Sequence, residues 1–318
     1  MKTESIENAY AYAKERYAAV GVDTDKTIEL LKRTPISLHC WQADDVIGFE
    51  RNETLSGGIQ TTGNYPGRAR NIEEVRQDIL FVKSLLGGNH RLNLHETYGD
   101  FGGKLVDRDQ VEVKYFQSWI DWAKENNMKL DFNSTSFSHP KSGNLSLANP
   151  DKGIRDFWIE HTKRCRKIAD AMGKAQGDPC IMNIWVHDGS KDLTVERMRY
   201  RQIMAESLDE ILAEKLDGVK NCLEAKLFGI GLESYTVGSH DFVAGYCATR
   251  KLMYTLDTGH YEQTENVSDM VASLLLFVPE LMLHVSRPVR WDSDHVTIMN
   301  DQTLDLFKEL SLIHISEP

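Results

Sequence analysis

The chain has 318 residues, 41% of them apolar and 27% charged, the profile of a globular protein rather than a disordered or fibrous one. Its formal net charge of -11 leaves no basic stripe for a nucleic-acid backbone, and no apolar run reaches bilayer-spanning length. Five scattered cysteines without a Cys-x-x-Cys pair argue against a disulfide framework and a thiolate zinc site; with no apolar signal core at the N-terminus, a cytoplasmic location is expected.

Residues 4–33 carry apolar and small side chains at helical spacing, with no proline before Pro35, and predict an N-terminal helical segment. Beyond it, apolar runs at 36–40, 92–95, 130–133, 181–185, 222–228, 252–257 and 281–285 predict strands. Amphipathic stretches at 75–86, 115–126, 154–171 and 198–216 predict helices between them, and Gly87-Gly88 stops the first. A further helix is expected at 300–310. Strand and helix in alternation make a parallel sheet with helices packed outside it. Seven strands are one short of the number that closes a standard barrel. The fold expected is therefore α/β: a (β/α)8 TIM barrel, incomplete, with about seven βα units and an N-terminal helical segment, forming a single domain over 1–310. The octapeptide 311–318, Ser311-Leu-Ile-His-Ile-Ser-Glu-Pro, continues no pattern and reads as translated sequencing-adapter sequence foreign to the fold. An unclosed barrel leaves two edge strands and an exposed core, so weak folding or aggregation is expected.

The ends of the later strands carry the chemistry. Glu224 and Lys226 lie in Leu223-Glu-Ala-Lys-Leu-Phe, and Asp257 and His260 in Leu256-Asp-Thr-Gly-His. His284 lies in Leu283-His-Val, and Asp292 and Asp294 in Trp291-Asp-Ser-Asp-His. Side chains at successive strand ends can point into one pocket. Singly, each group has an ordinary explanation. Glu224 and Lys226 can be a neutralising strand-face pair, His284 a satisfied core histidine, and Asp292 and Asp294 loop caps. As a set, four consecutive strand ends with carboxylate or imidazole ligands and no thiolate suit two divalent cations: Mn2+, Mg2+, Co2+ or Zn2+. His90, His139, His161, His187 and His240 show no partner pattern and are expected to be surface or hydrogen-bonding residues. Trp119, Trp122 and Trp158 lie in amphipathic helices and are expected in the core or a subunit contact. The charged stretch 209–215 reads as a solvated helix face.

Longer blocks point to a family. They are His39-Cys-Trp-Gln-Ala-Asp-Asp, Thr62-Gly-Asn-Tyr-Pro-Gly, Asp131-Phe-Asn, Met182-Asn-Ile-Trp, Lys226-Leu-Phe-Gly-Ile-Gly-Leu-Glu-Ser-Tyr-Thr-Val-Gly-Ser and His284-Val-Ser-Arg-Pro-Val-Arg-Trp-Asp-Ser-Asp-His. On them the chain resembles the L-rhamnose isomerases, in the xylose-isomerase-like barrel group, to about residue 310. The resemblance implies a metal-dependent aldose-ketose isomerase interconverting L-rhamnose and L-rhamnulose, a small-molecule substrate, no membrane or nucleic-acid partner and a homotetramer. Its implied cofactors are two divalent ions, Mn2+ first among them. It implies that Glu224, Asp257 and His284 hold one metal, and that Asp257, His260, Asp292 and Asp294 surround a second, catalytic one. His284 departs from the xylose isomerases, which have a carboxylate there. Lys226 would bond the C1 oxygen, His95 would contact the sugar and assist ring opening, and Trp185 would stack on the sugar face. Asp294 completes the expected catalytic set with Lys226 and His95. Val46, Leu55 and Ile59, in the long glycine-rich loop after the first strand, are candidates to seat the sugar's terminal methyl. Hydrogen would move from C2 to C1 by a metal-assisted hydride shift, with an enediol route as the alternative. Two other readings stand beside this one: a metal-dependent barrel hydrolase or endonuclease of the same group, and a fragment inactive for want of its last strand.

Overall fold

Seven parallel strands frame the computed structural model, which describes residues 2–44, 48–50, 67–192, 194–227, 234–262, 264–287 and 297–316. In chain order the strands are β1 (Ser37–His39), β2 (Arg91–His95), β3 (Lys129–Asn133), β4 (Cys180–Ile184), β5 (Gly189–Ser190), β6 (Val219–Glu224), β7 (Tyr235–Thr236), β8 (Met253–Asp257) and β9 (Leu281–His284). β5 and β7 form a separate antiparallel pair; the other seven make one sheet in the order β1-β2-β3-β4-β6-β8-β9. Parallel neighbours need a crossover between them, and helices supply it. These are α3 (Trp41–Asp44) and α4 (Ile72–Leu85), α5 (Gln117–Glu125), α6 (Lys152–Gln176), α7 (Arg197–Leu212), α8 (His240–Arg250) and α9 (Ser268–Leu275); α10 (Asp301–Ser316) follows the last strand. Seven βα units are therefore present, at nearly the positions that the apolar runs predict.

The inner strands are apolar because both of their faces are covered. Leu92, Leu94, Leu130, Phe132, Met182, Ile184, Cys222 and Leu256 are buried, as are Trp119, Trp122 and Trp158 on the helices outside them. β1 and β9, the sheet's two edges, are only half-buried. The edges nevertheless meet at one end. His39, ending β1, stacks on His284, ending β9, with ring centroids 5.6 Å apart and planes 10° from parallel. The sheet thus curls until its first and last strands face each other across the mouth formed by their C-terminal ends.

Several details depart from expectation. The N-terminal segment is two helices, α1 (Thr3–Ala18) and α2 (Thr24–Leu31), broken at Gly21, whose φ of 85° ends a right-handed helix. Neither helix has a buried residue. α10 runs past Leu310 to Ser316, into the octapeptide. His90, His139, His161 and His187 are buried, not surface residues, and the hydrogen-bonding half of that expectation holds. Their rings contact Gly87 O, Asp107 Oδ1, Arg108 O and Gly143 O respectively, because an imidazole can satisfy polar groups that a buried loop leaves open. His240 is half-buried and stacks on Tyr261 at 4.1 Å.

Candidate metal centre

Three neighbouring strands end close together, β8 and β9 level with each other and β6 two residues short of them in register. The register sets Asp257 of β8 beside His284 of β9, and Glu224 of β6 beside Thr255 of β8. One donor atom each from Glu224, Asp257 and His284 lies within 4.8 Å of the others. His284 Nδ1 is 2.8 Å from Asp257 Oδ2 and 3.8 Å from Glu224 Oε1. His260 joins them from the turn after β8, its Nδ1 3.1 Å from Glu224 Oε1 and 3.3 Å from Asp257 Oδ2.

The carboxylates are held by their outer oxygens. Gly259 N–H and Ser286 Oγ donate to Asp257 Oδ1 at 2.7 and 2.6 Å. Asn183 Nδ2 donates to Glu224 Oε2, and Thr255 Oγ1 donates to Asn183 Oδ1 at 2.8 Å. That orients the inner oxygens, Asp257 Oδ2 and Glu224 Oε1, toward the shared space. Asp257 Oδ2 is buried and receives no aligned hydrogen bond, although His284 Nδ1 is close. Burial alone raises the pKa of both carboxyls. For Glu224 the pull of His260 and His284 outweighs it and holds the group well below the usual carboxylate range; for Asp257 the same two rings also win. Two ionised, buried carboxylates and an imidazole with their donor atoms converging form an O,O,N set that suits a divalent cation of the Mn2+, Mg2+ or Zn2+ kind. The residues present therefore fit the implied metal.

Around this cluster lie the other expected residues. Lys226, two past the end of β6, is 1% exposed, and its Nζ sits 3.5 Å from the centroid of the Trp185 ring. It also lies 3.4 Å from His260 Nε2, to which it can donate, since His260 Nδ1 already faces Ala225 O at 3.1 Å. Trp185, just past β4, is braced edge-on by Phe137. His95 ends β2, with Nε2 3.3 Å from His39 Nε2 and the Trp41 ring stacked on it at 4.1 Å. The structure thus brings Glu224, Asp257, His260, His284 and Lys226 to the C-terminal side of one sheet, with Trp185 and His95 at the same end. Asp292, Asp294, Val46, Leu55 and Ile59 lie outside the described residues. Three supporting residues were not foreseen. His39 carries the same signal as His95, a histidine closing an apolar run, and could have been found by it. Asn183 and Ser286 carry none, because their roles depend on register and on a loop's return.

A family model described as L-rhamnose isomerase (RhaA) matches residues 4–316. An L-rhamnose isomerase of Bacteroides thetaiotaomicron is 69% identical over 310 residues, covering 97% of this chain and 74% of that protein. One from Rhodopirellula baltica is 50% identical over 310 residues, 96% of this chain and 72% of that protein. Among solved structures, a D-allulose 3-epimerase from Methylomonas sp. aligns with a TM-score of 0.54 at 13% identity, over 89% of this chain and 82% of its own, a likeness of fold alone.

Proposed function

The chain belongs to the L-rhamnose isomerase family, aldose-ketose isomerases that interconvert L-rhamnose and L-rhamnulose, and on that premise we propose how its residues carry the reaction. The match to that family displaces the hydrolase and endonuclease readings.

The reading is metal-dependent, and one observation carries it: the donors of Glu224, Asp257 and His284 converge within 4.8 Å, with Asp257 Oδ2 buried and lacking an aligned hydrogen bond. These three residues would hold one divalent cation, Mn2+ being the first choice, and His260 with Asp257, Asp292 and Asp294 a second. When bound, such cations supply Lewis-acid polarisation of sugar oxygens.

The chain's own groups do the rest. His95 contacts the cyclic sugar and moves the proton needed to open it. Trp185 presents an apolar wall. Lys226, buried against that wall, donates from Nζ to the C1 oxygen as negative charge grows there. The C2–H bond breaks and hydrogen passes with its electron pair to C1. The C1=O1 π pair moves onto O1, which gains the proton that O2 gives up as C2=O2 forms. We favour this hydride route over an enediol because Asn183, Gly259 and Ser286 hold the outer oxygens of Glu224 and Asp257 and turn the inner ones toward the shared donor space, so neither of these acids is presented as a base for C2.

The curled sheet is read as the greater part of a (β/α)8 barrel, supported by the stacking of His39 on His284 across its mouth. Five free, buried cysteines support a reducing, cytoplasmic setting.

The test is an isomerase assay on L-rhamnose deuterated at C2. Chelator should abolish turnover and Mn2+ restore it, with the label retained at C1. Undiminished turnover after chelation would remove the metal reading, and loss of the label to water would remove the hydride route.

A further inference from the structure

We propose that Asp188 is a positioning residue for the isomerisation: its buried carboxylate ties together the loops after β3, β4 and β6, and through them it aims the Lys226 ammonium at the C1 oxygen. This rests on the reading above that Lys226 donates to that oxygen.

Asp188 lies between Trp185 and β5 and is fully buried, where a carboxylate is stable only if donors meet it. The loop after β3 supplies them. Ser146 N–H and Ser146 Oγ donate to Oδ1 at 2.7 and 2.6 Å, and Ala148 N–H donates to Oδ2 at 2.7 Å. The residues on either side of Asp188 join the same loop. His187 Nε2 donates to Gly143 O at 3.1 Å, and Gly189 N–H donates to Asn144 O at 3.0 Å. Each carboxylate oxygen faces a backbone amide, which can only donate, so only a side chain that accepts at both ends fits.

The backbone of Asp188 carries the tie onward. Its carbonyl accepts from Val237 N–H at 3.0 Å, and β5 beside it pairs with β7, Gly189 opposite Thr236 and Ser190 opposite Tyr235. The segment 236–238 then holds Lys226, which lies past the end of the β6 ladder. Lys226 N–H donates to Gly238 O at 3.0 Å, and Thr236 Oγ1 donates to Leu227 O at 3.2 Å. The backbone of Lys226 is therefore fixed by a segment that Asp188 fixes. Its side chain rests on Trp185, in the loop that carries Asp188, with Nζ 3.5 Å from the ring centroid. Phe137, from the loop that the carboxylate clamps, braces that ring edge-on at 5.3 Å. Main chain and side chain of Lys226 thus both lead back to one buried acid.

The consequence falls on the rate. A donor displaced by about 1 Å from the oxygen where charge develops can lose on the order of a hundredfold. Asp188→Asn keeps the shape of the side chain. Whichever way its amide turns, however, the –NH2 meets the Ser146 or the Ala148 N–H, donor against donor, and the clamp opens.

The experiment is a double-mutant cycle on kcat for L-rhamnose in the Mn2+-loaded protein, with Asp188→Asn made in the parent and in Lys226→Met. Asp188→Asn should lower kcat about tenfold to a hundredfold in the parent but less than about twofold in Lys226→Met, where no ammonium is left to misplace. Acetylation by acetic anhydride, followed peptide by peptide by mass spectrometry, reads the lysine itself. Lys226, 1% exposed, should be spared in the parent and should react at least about fivefold faster in Asp188→Asn, while exposed Lys124 reacts equally in both. Where Asp188→Asn does not fold, Ser146→Ala takes its place; it removes one donor, keeps both amides, and should lower kcat about threefold to tenfold with the same dependence on Lys226. Where Lys226→Met turns over too slowly to measure, the acetylation decides. Equal losses of kcat in both backgrounds, parental kcat in Asp188→Asn, or an unchanged rate of Lys226 acetylation would overturn the proposal. Parental kcat in Lys226→Met would instead remove the underlying reading of Lys226 as the C1 oxygen's donor.

Discussion

At the scale of single residues, the outer hydrogen bonds of the two carboxylates matter as much as their inner oxygens. Asp257 supplies the oxygen most in need of a partner, so Asp257→Asn should abolish the Mn2+-dependent rise in melting temperature. In the parent that rise should reflect about 2.7 kcal/mol at a hundredfold excess over Kd. Differential scanning with and without Mn2+ checks this, and an undiminished rise would exclude Asp257 as a ligand. Ser286→Ala removes only an orienting bond and should weaken Mn2+ binding by about ten- to a hundredfold, read by calorimetric titration. A different balance governs Glu96, which follows His95 and is fully buried. Burial pushes its carboxyl up to about 8, against the opposing pull of the Arg108 guanidinium. Between the ordinary glutamate value and pH 8 the native state holds a proton that the unfolded chain has released. The native state therefore binds more protons, and this group makes stability fall as pH rises through that window. Glu96→Gln should remove that slope, so the variant gains on the parent between pH 5 and pH 8 in urea unfolding; a constant difference would show that Glu96 titrates normally. The sequence exposed Glu224, Asp257, His260 and His284 because each closes or follows an apolar run. It hid the roles of Asn183 and Ser286, whose partners lie 41 and 29 positions away and share no local pattern with them.

At the scale of elements, α6 packs against β3, β4 and β6, the last of which ends in Glu224. Asp151 caps it by accepting from Gly153 and Ile154 N–H, and Gly177 ends it in the left-handed region at φ 65°. Near its end, Gly173 lets the helix touch the turn before β6: a Cβ there would meet Gly218 O at 1.7 Å and Cys180 N at 2.9 Å. Both contacts are backbone and cannot swing aside. Gly173→Ala should therefore cost about 1–3 kcal/mol or more by overpacking, although alanine favours a helix intrinsically. Its melting temperature should fall while Gly245→Ala, at a mid-helix site with open space around the added carbon, holds or rises. A Gly173→Ala protein as stable as its parent would mean that α6 and β6 can separate without loss. The same burial explains what was legible. Strands covered on both faces read as unbroken apolar runs, so seven were found. β5 and β7 have two residues each, too few to show a period, and they pair across 45 positions. The break between α1 and α2 turned on one glycine inside an otherwise helical pattern, which tertiary packing does not correct because neither helix is buried.

At the scale of the whole molecule, the alternation and strand count pointed to a curled, barrel-like sheet but not to how its edges meet. Alternation of strand and helix specifies parallel neighbours, but not that β1 and β9 bring His39 and His284 into stacking contact. The consequence is mechanical. Glu224, Asp257 and His284 come from three adjacent strands, and β9, the last of them, is half-exposed with one strand neighbour. Among the described residues its ladder hydrogen bonds go to β8 on one side, whereas β4 and β6 are flanked on both sides. A cation gripping all three ligands would cross-link β6, β8 and β9 at their C-terminal ends, and through the stacked histidines steady β1 as well. Free energy gained by binding the native state is lost from every opening that separates those ligands. Mn2+ should therefore slow amide exchange most at Met282 and Leu283 in β9 and at Leu256 in β8. The helices α1 and α2, with no buried residues and no ligand, should exchange at the same rate with or without metal. Exchange followed by mass spectrometry, with Asp257→Asn as the control, separates the cases. Equal slowing in α1 and β9 would indicate generic stabilisation, and no slowing in β9 would mean that the edge strand does not hold the ion.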